Sequence, residues 1–165
     1  NPAWEENVDI ESQKQKENKA FEEAVNVCMT IVRKYVEMKY GNLKAEEYVN
    51  VQLRKASMND KIFVMDEFAP WKKALSKENN ALGDDKCKIK VVIYPNSHKT
   101  QYIAESVKDV NGVDKFLFPY ELRGRSKEEL IKLTGYKSIE FVHRTGYLAV
   151  FNDKEDIIGF VNSLL

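Results

Sequence analysis

The stretch from Ile89 to Val107, IKVVIYPNSHKTQYIAESV, decides the fold. Ile89 to Tyr94 and Gln101 to Val107 are short apolar runs of strand length, and Pro95-Asn96-Ser97 between them has turn composition, so the segment predicts a β-hairpin. Working outward, runs of the same kind recur at Ile62-Phe63-Val64-Met65, Glu140 to His143 and Tyr147 to Phe151. Short helical patterns separate them. Pro70 suits the first position of a helix through Trp71-Lys72-Lys73-Ala74-Leu75. Ser126 and Glu129 have the spacing of a capping box before Leu130, Ile131 and Leu133, and Gly135 closes that helix. A final helix begins near Asn152-Asp153 and runs through Ile157, Ile158, Val161 and Leu164.

The first third of the chain reads differently. Residues 1–19 are polar, with only Trp4 and Ile10 to bury, and read as a partly ordered lead-in. Phe21, Ala24, Val25, Cys28, Ile31, Val32, Tyr35 and Val36 then recur at the spacing of one helical face. Gly41 is the expected stop of that helix. A weaker helical stripe follows through Ala45, Tyr48, Val49, Leu53 and Ala56, ending near Met58-Asn59-Asp60. The reading is an α+β fold: a helical arm over residues 1–60, then a domain over 61–165 built on a small mixed β-sheet with flanking helices.

Composition limits the function classes. The chain has 165 residues, 43% hydrophobic and 32% charged, the mix of a globular domain rather than a disordered or fibrous chain. Its formal net charge is zero, so any attraction to nucleic acid must come from a local patch. No apolar run approaches the roughly 20 residues of a membrane span. Cys28 and Cys87 form neither a disulfide framework nor a zinc spacing, and Cys28 reads as a packed residue on the apolar face of its helix. The opening Asn1-Pro2-Ala3-Trp4 has neither signal nor transit character, and the chain reads as a piece of a longer protein.

Few residues carry chemistry. His98 and His143 are the only histidines, which excludes a histidine-rich metal site within the chain. Glu5, Glu6, Asp9 and Glu11 read as a solvated acidic lead-in. There is no nucleophile elbow, Walker loop or dinucleotide fingerprint. The region from Leu122 to Arg144 stands apart, with a local excess of three positive charges. Arg123-Gly124-Arg125 precedes the Ser126 cap, where a helix start and a guanidinium fork suit an anion, although solvated arginines explain the same sequence. His143, beside Arg144 and three residues before the turn residue Gly146, is open to two readings: a packed histidine at a strand end, or a ligand contact.

Taken together, Asn1-Pro2-Ala3-Trp4, Ala69-Pro70-Trp71-Lys72, Arg123-Gly124 with Ser126-Lys127-Glu128-Glu129-Leu130, Gly135, and Phe141-Val142-His143-Arg144-Thr145-Gly146-Tyr147 resemble the C-terminal half of the melanocyte-proliferating-gene (Myg) family. That family is a branch of the DHH phosphoesterases. The resemblance implies a metal-dependent 3′-to-5′ RNA exonuclease of nucleus or mitochondrion. It also implies that the metal ligands lie in an N-terminal half that this sequence lacks, since no Asp-His-His occurs here. The chain would then hold no catalytic residue and no metal, and would be inactive alone. Mn²⁺ or Mg²⁺ would sit in the absent DHH domain, its expected partner beside RNA or a nucleotide. His143, Arg123, Gly146, Gly124 and Arg144 become the expected substrate- and phosphate-binding residues. Leu122, and Ala149-Val150 after Leu148, depart from the family's tryptophan and paired glycines at the corresponding places, which puts close backbone approach at 149–150 in question. Two other readings stand beside this one: a protein-interaction or assembly module without a phosphoesterase role, and a parent enzyme acting on small nucleotides. Self-association through residues 20–58 is expected as well. No membrane association is expected.

Overall fold

The computed structural model describes residues 10–56, 60–75 and 88–165. Contacts divide the chain into two units, one ending at Leu43 and the other running from Lys44 to Leu165. Helix α1 (Ile10–Lys55) contributes to both. The expected stop at Gly41 does not occur: Gly41 is helical, and the space around it is open. A glycine inside a helix costs about 1 kcal/mol relative to alanine, which the strong helix formers Leu43, Lys44, Ala45 and Glu46 offset by prolonging the ladder. The helix also takes in residues 10–19, so that part of the expected lead-in is ordered. Trp4, Glu5, Glu6, Asp9, Cys87 and the side chain of Glu11 lie outside the described residues.

In the first unit the apolar stripe of α1 is exposed, with Phe21 at 70% and Ile31 at 62%. Cys28 is exposed as well, against the packed position expected of it.

The second unit holds the sheet. Strands β1 (Ile62–Val64), β2 (Val91–Pro95), β3 (Tyr102–Ser106), β4 (Ile139–Val142) and β5 (Leu148–Phe151) lie in the order β1-β2-β3-β5-β4. β1 and β2 are parallel and the other pairs antiparallel, which makes the sheet mixed as expected. The β2–β3 hairpin is organised by Asn96, whose Oδ1 accepts from the backbone N–H of Thr100 at 3.0 Å and of Gln101 at 3.3 Å. The β4–β5 pairing carries a register irregularity between Ile139 and Phe141. Residues 71–75 form helix α2, and α3 (Lys127–Thr134) and α4 (Lys154–Leu164) follow β3 and β5 respectively.

Strand alternation sends successive side chains to opposite faces. One face, with Val91, Ile93, Ala104, Ala149 and Phe151, is covered by Leu130 of α3 and by Ile157, Phe160 and Val161 of α4. On the other face Phe63, Val92 and Tyr94 pack under Val49 of α1 and Trp71, Ala74 and Leu75 at α2. That cover does not reach the far side of the sheet. Ile103 packs against that cluster, Leu148 and Val150 stay half-buried beyond it, and Phe141 is 40% exposed.

Both predicted caps of α3 are present. The Ser126 hydroxyl accepts from the Glu129 N–H, the Glu129 carboxylate accepts from the Ser126 N–H, and Gly135 ends the helix at φ 78°. Ser126→Ala is expected to cost about 1 kcal/mol, read from the midpoint of urea unfolding. Hydrogen bonds from Ser126, backbone first and hydroxyl second, hold the Glu129 carboxyl below its ordinary range. Its share of the cap is therefore present above the ordinary glutamate value and fades as pH falls through the depressed one.

Candidate functional site

The β4–β5 connection is a tight turn over His143 to Tyr147. His143 N–H donates to Leu148 O at 2.8 Å and Gly146 N–H to His143 O at 2.8 Å, which closes the turn and places Gly146 at φ 82°. Two backbone bonds tie the segment around Arg123 to it: Phe118 N–H donates to Gly146 O at 2.8 Å, and Gly124 N–H to Val142 O at 3.0 Å. Arg123 and Gly124, twenty residues earlier in sequence, therefore lie against the turn.

Their side chains interlock. Arg123 Nε donates to Phe118 O at 2.8 Å, and its Cζ lies 5.6 Å from the centre of the Tyr120 ring. A Cβ built on Gly146 would stand 2.4 Å from Arg123 Nε and 2.8 Å from Cζ, so the guanidinium occupies the space that any other residue at 146 would need. One built on Gly124, at φ 65°, would meet Arg144 Cγ at 3.0 Å. With Nε used, the two terminal amino groups of Arg123 remain as donors.

His143 is half-buried and held on several sides. The Thr145 N–H donates to Nδ1 at 3.2 Å, and Thr145 Oγ1 lies 2.9 Å from the same nitrogen. A backbone N–H aimed at Nδ1 assigns the lone pair there and the proton to Nε2, which becomes the ring's outward donor. Tyr147 flanks the ring at 4.5 Å between centroids and Phe141 at 6.0 Å. Arg144 is exposed. The five residues named from sequence, Arg123, Gly124, His143, Arg144 and Gly146, thus lie together around one turn, with Arg123, His143 and Arg144 as its side-chain donors.

The helix start next to them is built otherwise. The α3 cap closes on its own Ser126 and Glu129, Arg125 pairs with Glu129 at 3.4 Å, and Lys127 pairs with Glu140. A carboxylate already fills the place an anion would take, so the cradle considered at Arg123-Gly124-Arg125 is not at the helix start. Arg123 faces the turn instead.

Sequence reasoning missed what adjoins the turn. A cavity of about 540 Å³ is bounded by Trp71, Glu105, Ser106, Asp114, Thr145 and Tyr147 among others. Glu105 is only 7% exposed; its Oε2 accepts from Tyr94 OH at 2.8 Å and its Oε1 faces Lys72 Nζ at 2.7 Å. Burial, and then the hydrogen bond to Glu105, push the Tyr94 phenol well above its ordinary value, so Tyr94 stays a proton donor throughout the neutral range. The signal was present in the hairpin: Glu105 lies between Ile103 and Val107, at the two-residue spacing that puts a charge on an apolar face.

The model of the MYG1 exonuclease family, described as an uncharacterised protein family (UPF0160), matches residues 1–165. The chain belongs to this family. Neither the curated proteins nor the solved structures include a match. Among the described residues no group of three or more His, Cys, Asp or Glu side chains is placed to hold an ion. Among the same residues no helix is long and apolar enough to cross a membrane.

Proposed function

We propose that this chain is the substrate-binding part of a phosphodiester-cleaving exonuclease of the DHH type, acting on RNA from the 3′ end, and that the His143–Gly146 turn holds a phosphate group. The observation that carries the reading is the packing of the Arg123 guanidinium against Gly146, beside a histidine whose Nε2–H is oriented as a donor. Cationic donors fixed in this way neutralise charge on a phosphoryl group and position it without reorganising during reaction. Gly146 serves the arrangement twice, by turning the chain and by leaving room for the guanidinium. The divalent metal of such an enzyme, its Asp-His-His ligands and the cleavage itself then belong to groups outside the described residues. Nuclear or mitochondrial residence is part of the same reading.

The test is titration of the chain with a short single-stranded RNA, followed through the His143 ring signals by NMR. Saturable shifts that weaken with added salt are expected, as phosphate contacts release counterions. Unmoved His143 signals would overturn the reading. Cleavage of RNA and of dinucleotides by the longer parent with Mn²⁺ or Mg²⁺ then distinguishes a polymer substrate from a small one.

The exposed face of α1 supports a second role in association. Phe21, Val25, Ile31, Val32 and Tyr35 are all more than 40% exposed, a larger contiguous apolar surface than a solitary helix carries in water. Sedimentation is expected to show reversible self-association of the chain, and Val32→Glu to shift it toward monomer. A strict monomer at high concentration would remove this role.

A further inference from the structure

We propose that the cavity beside the turn is a nucleoside pocket, in which the Glu105 carboxylate accepts hydrogen bonds from two adjacent donors of a nucleoside whose phosphate lies on the His143 turn. The proposal rests on the phosphate reading above and assigns the other end of the same ligand.

Four observations converge on it. The first is the carboxylate itself. Glu105 stands on an apolar strand face, where an ionised group is costly unless it is hydrogen-bonded. Tyr94 OH and Lys72 Nζ each engage one of its oxygens. Each oxygen keeps a further lone pair, so what the group still offers is acceptance alone. The second is Asp114. Its Oδ1 is shielded from solvent and has no hydrogen-bond partner, while Oδ2 faces Lys108 Nζ at 3.4 Å. A buried acceptor without a donor is costly, and a ligand donor would relieve it. The third is shape. The volume of about 540 Å³ falls within the roughly 300–1,000 Å³ of small-molecule sites, and Trp71 and Tyr147 supply aromatic wall for a flat ring.

The fourth observation is continuity with the turn. Thr145 and Tyr147 bound the cavity, and the same two residues hold the His143 ring, one through Nδ1 and the other through ring contact at 4.5 Å. A molecule entering the cavity therefore meets the acceptors Glu105 and Asp114 and, at Thr145 and Tyr147, the two residues of the turn that hold the His143 ring. Paired donors next to a phosphate have two sources in a nucleotide. One is the Watson–Crick edge of guanine, with its ring N–H and exocyclic amine. The other is the free 2′,3′-diol at the 3′ end of an RNA strand.

The experiment titrates the chain separately with guanosine, adenosine, 2′,3′-dideoxyguanosine, 2′,3′-dideoxyadenosine and inorganic phosphate. The Trp71 indole and Tyr147 ring report on the cavity by NMR, and the His143 ring reports on the turn. Saturable cavity shifts with both guanine compounds and neither adenine compound assign the guanine edge. Shifts with guanosine and adenosine but not with the dideoxy forms assign the diol. Shifts with guanosine, adenosine and dideoxyguanosine together assign both, and each pattern supports the pocket. Equal response to all four nucleosides, or no cavity response to any, overturns the proposal. Phosphate acts on His143 alone, so its failure counts against the phosphate reading and not against the pocket. Glu105→Gln replaces one of the two acceptor oxygens by a donor and is expected to weaken nucleoside binding at least about tenfold. If its melting curve shows that it does not fold, Asp114→Asn, at a more exposed position, is expected to weaken binding in the same direction. Undiminished affinity in a folded variant also overturns the proposal.

Discussion

Gly146→Ala is expected to lower stability by about 1–3 kcal/mol and to abolish most of the phosphate affinity of the turn. Two costs add. The backbone at φ 82° disfavours any residue with a Cβ, by about 1–2 kcal/mol. The new methyl also lands 2.4 Å from Arg123 Nε, so the guanidinium must swing aside and give up its bond to Phe118 O. The end of an arginine moves cheaply, which keeps the stability loss moderate while the donor leaves its place. Gly112→Ala is the control, since Gly112 has φ 80° and nothing within 4 Å of its Cβ position. It should show the backbone cost alone, about 1–2 kcal/mol, and unchanged RNA binding. Thermal or urea unfolding and RNA titration of both variants read the two effects separately. Equal RNA affinity in the Gly146 and Gly112 variants would mean that the guanidinium is not part of the site.

His143→Ala and Arg123→Ala are the second test. Each removes a donor that, acting on a charged phosphate, is worth about 1.5–3 kcal/mol, or about 10- to 150-fold in RNA affinity. The melting temperature should move little for His143→Ala, because the ring is only half-buried and the turn is closed by backbone bonds. Arg123→Ala also removes the bond to Phe118 O and the contact with Tyr120, so a small loss of stability is expected beside the functional one. A packed, purely structural histidine would give the opposite pattern, with a lower melting temperature and full activity per folded molecule. Arg144→Ala should be the mildest of the three, since Arg144 is exposed and meets Gly124 through its aliphatic stem.

How much of this was legible in the sequence varies with how local the cause is. The five strands and the α3 cap follow from neighbours within a few residues: apolar runs, the Pro95-Asn96-Ser97 turn, and the Ser126–Glu129 spacing. Gly41 misled because a helix stop depends on the tally of propensities over several turns, and one unfavourable residue did not outweigh the good formers after it. The site divides the same way. The residues of the turn could be named from their order along the chain, but the insertion of Arg123 into the space over Gly146 joins segments twenty-three residues apart and has no local trace. Glu105 had a trace, a charge at an apolar position of an alternating strand, yet the meaning of that charge depends on Tyr94 and Lys72 arriving from other elements.

The ends of the sheet bear on how this fold meets other chains. Among the described strands the outermost are β1, of three residues, and β4, whose register shifts between Ile139 and Phe141. An outer strand recruits an extended polypeptide by offering a long, regular row of unpaired amides and carbonyls. Neither border offers one. An incoming strand would find too few groups along β1 and a break in repeat along β4. Fibril-like stacking and capture of peptides by β-augmentation are therefore disfavoured at both borders, and encounters with other molecules are directed to side-chain surfaces, where charge and shape discriminate among partners.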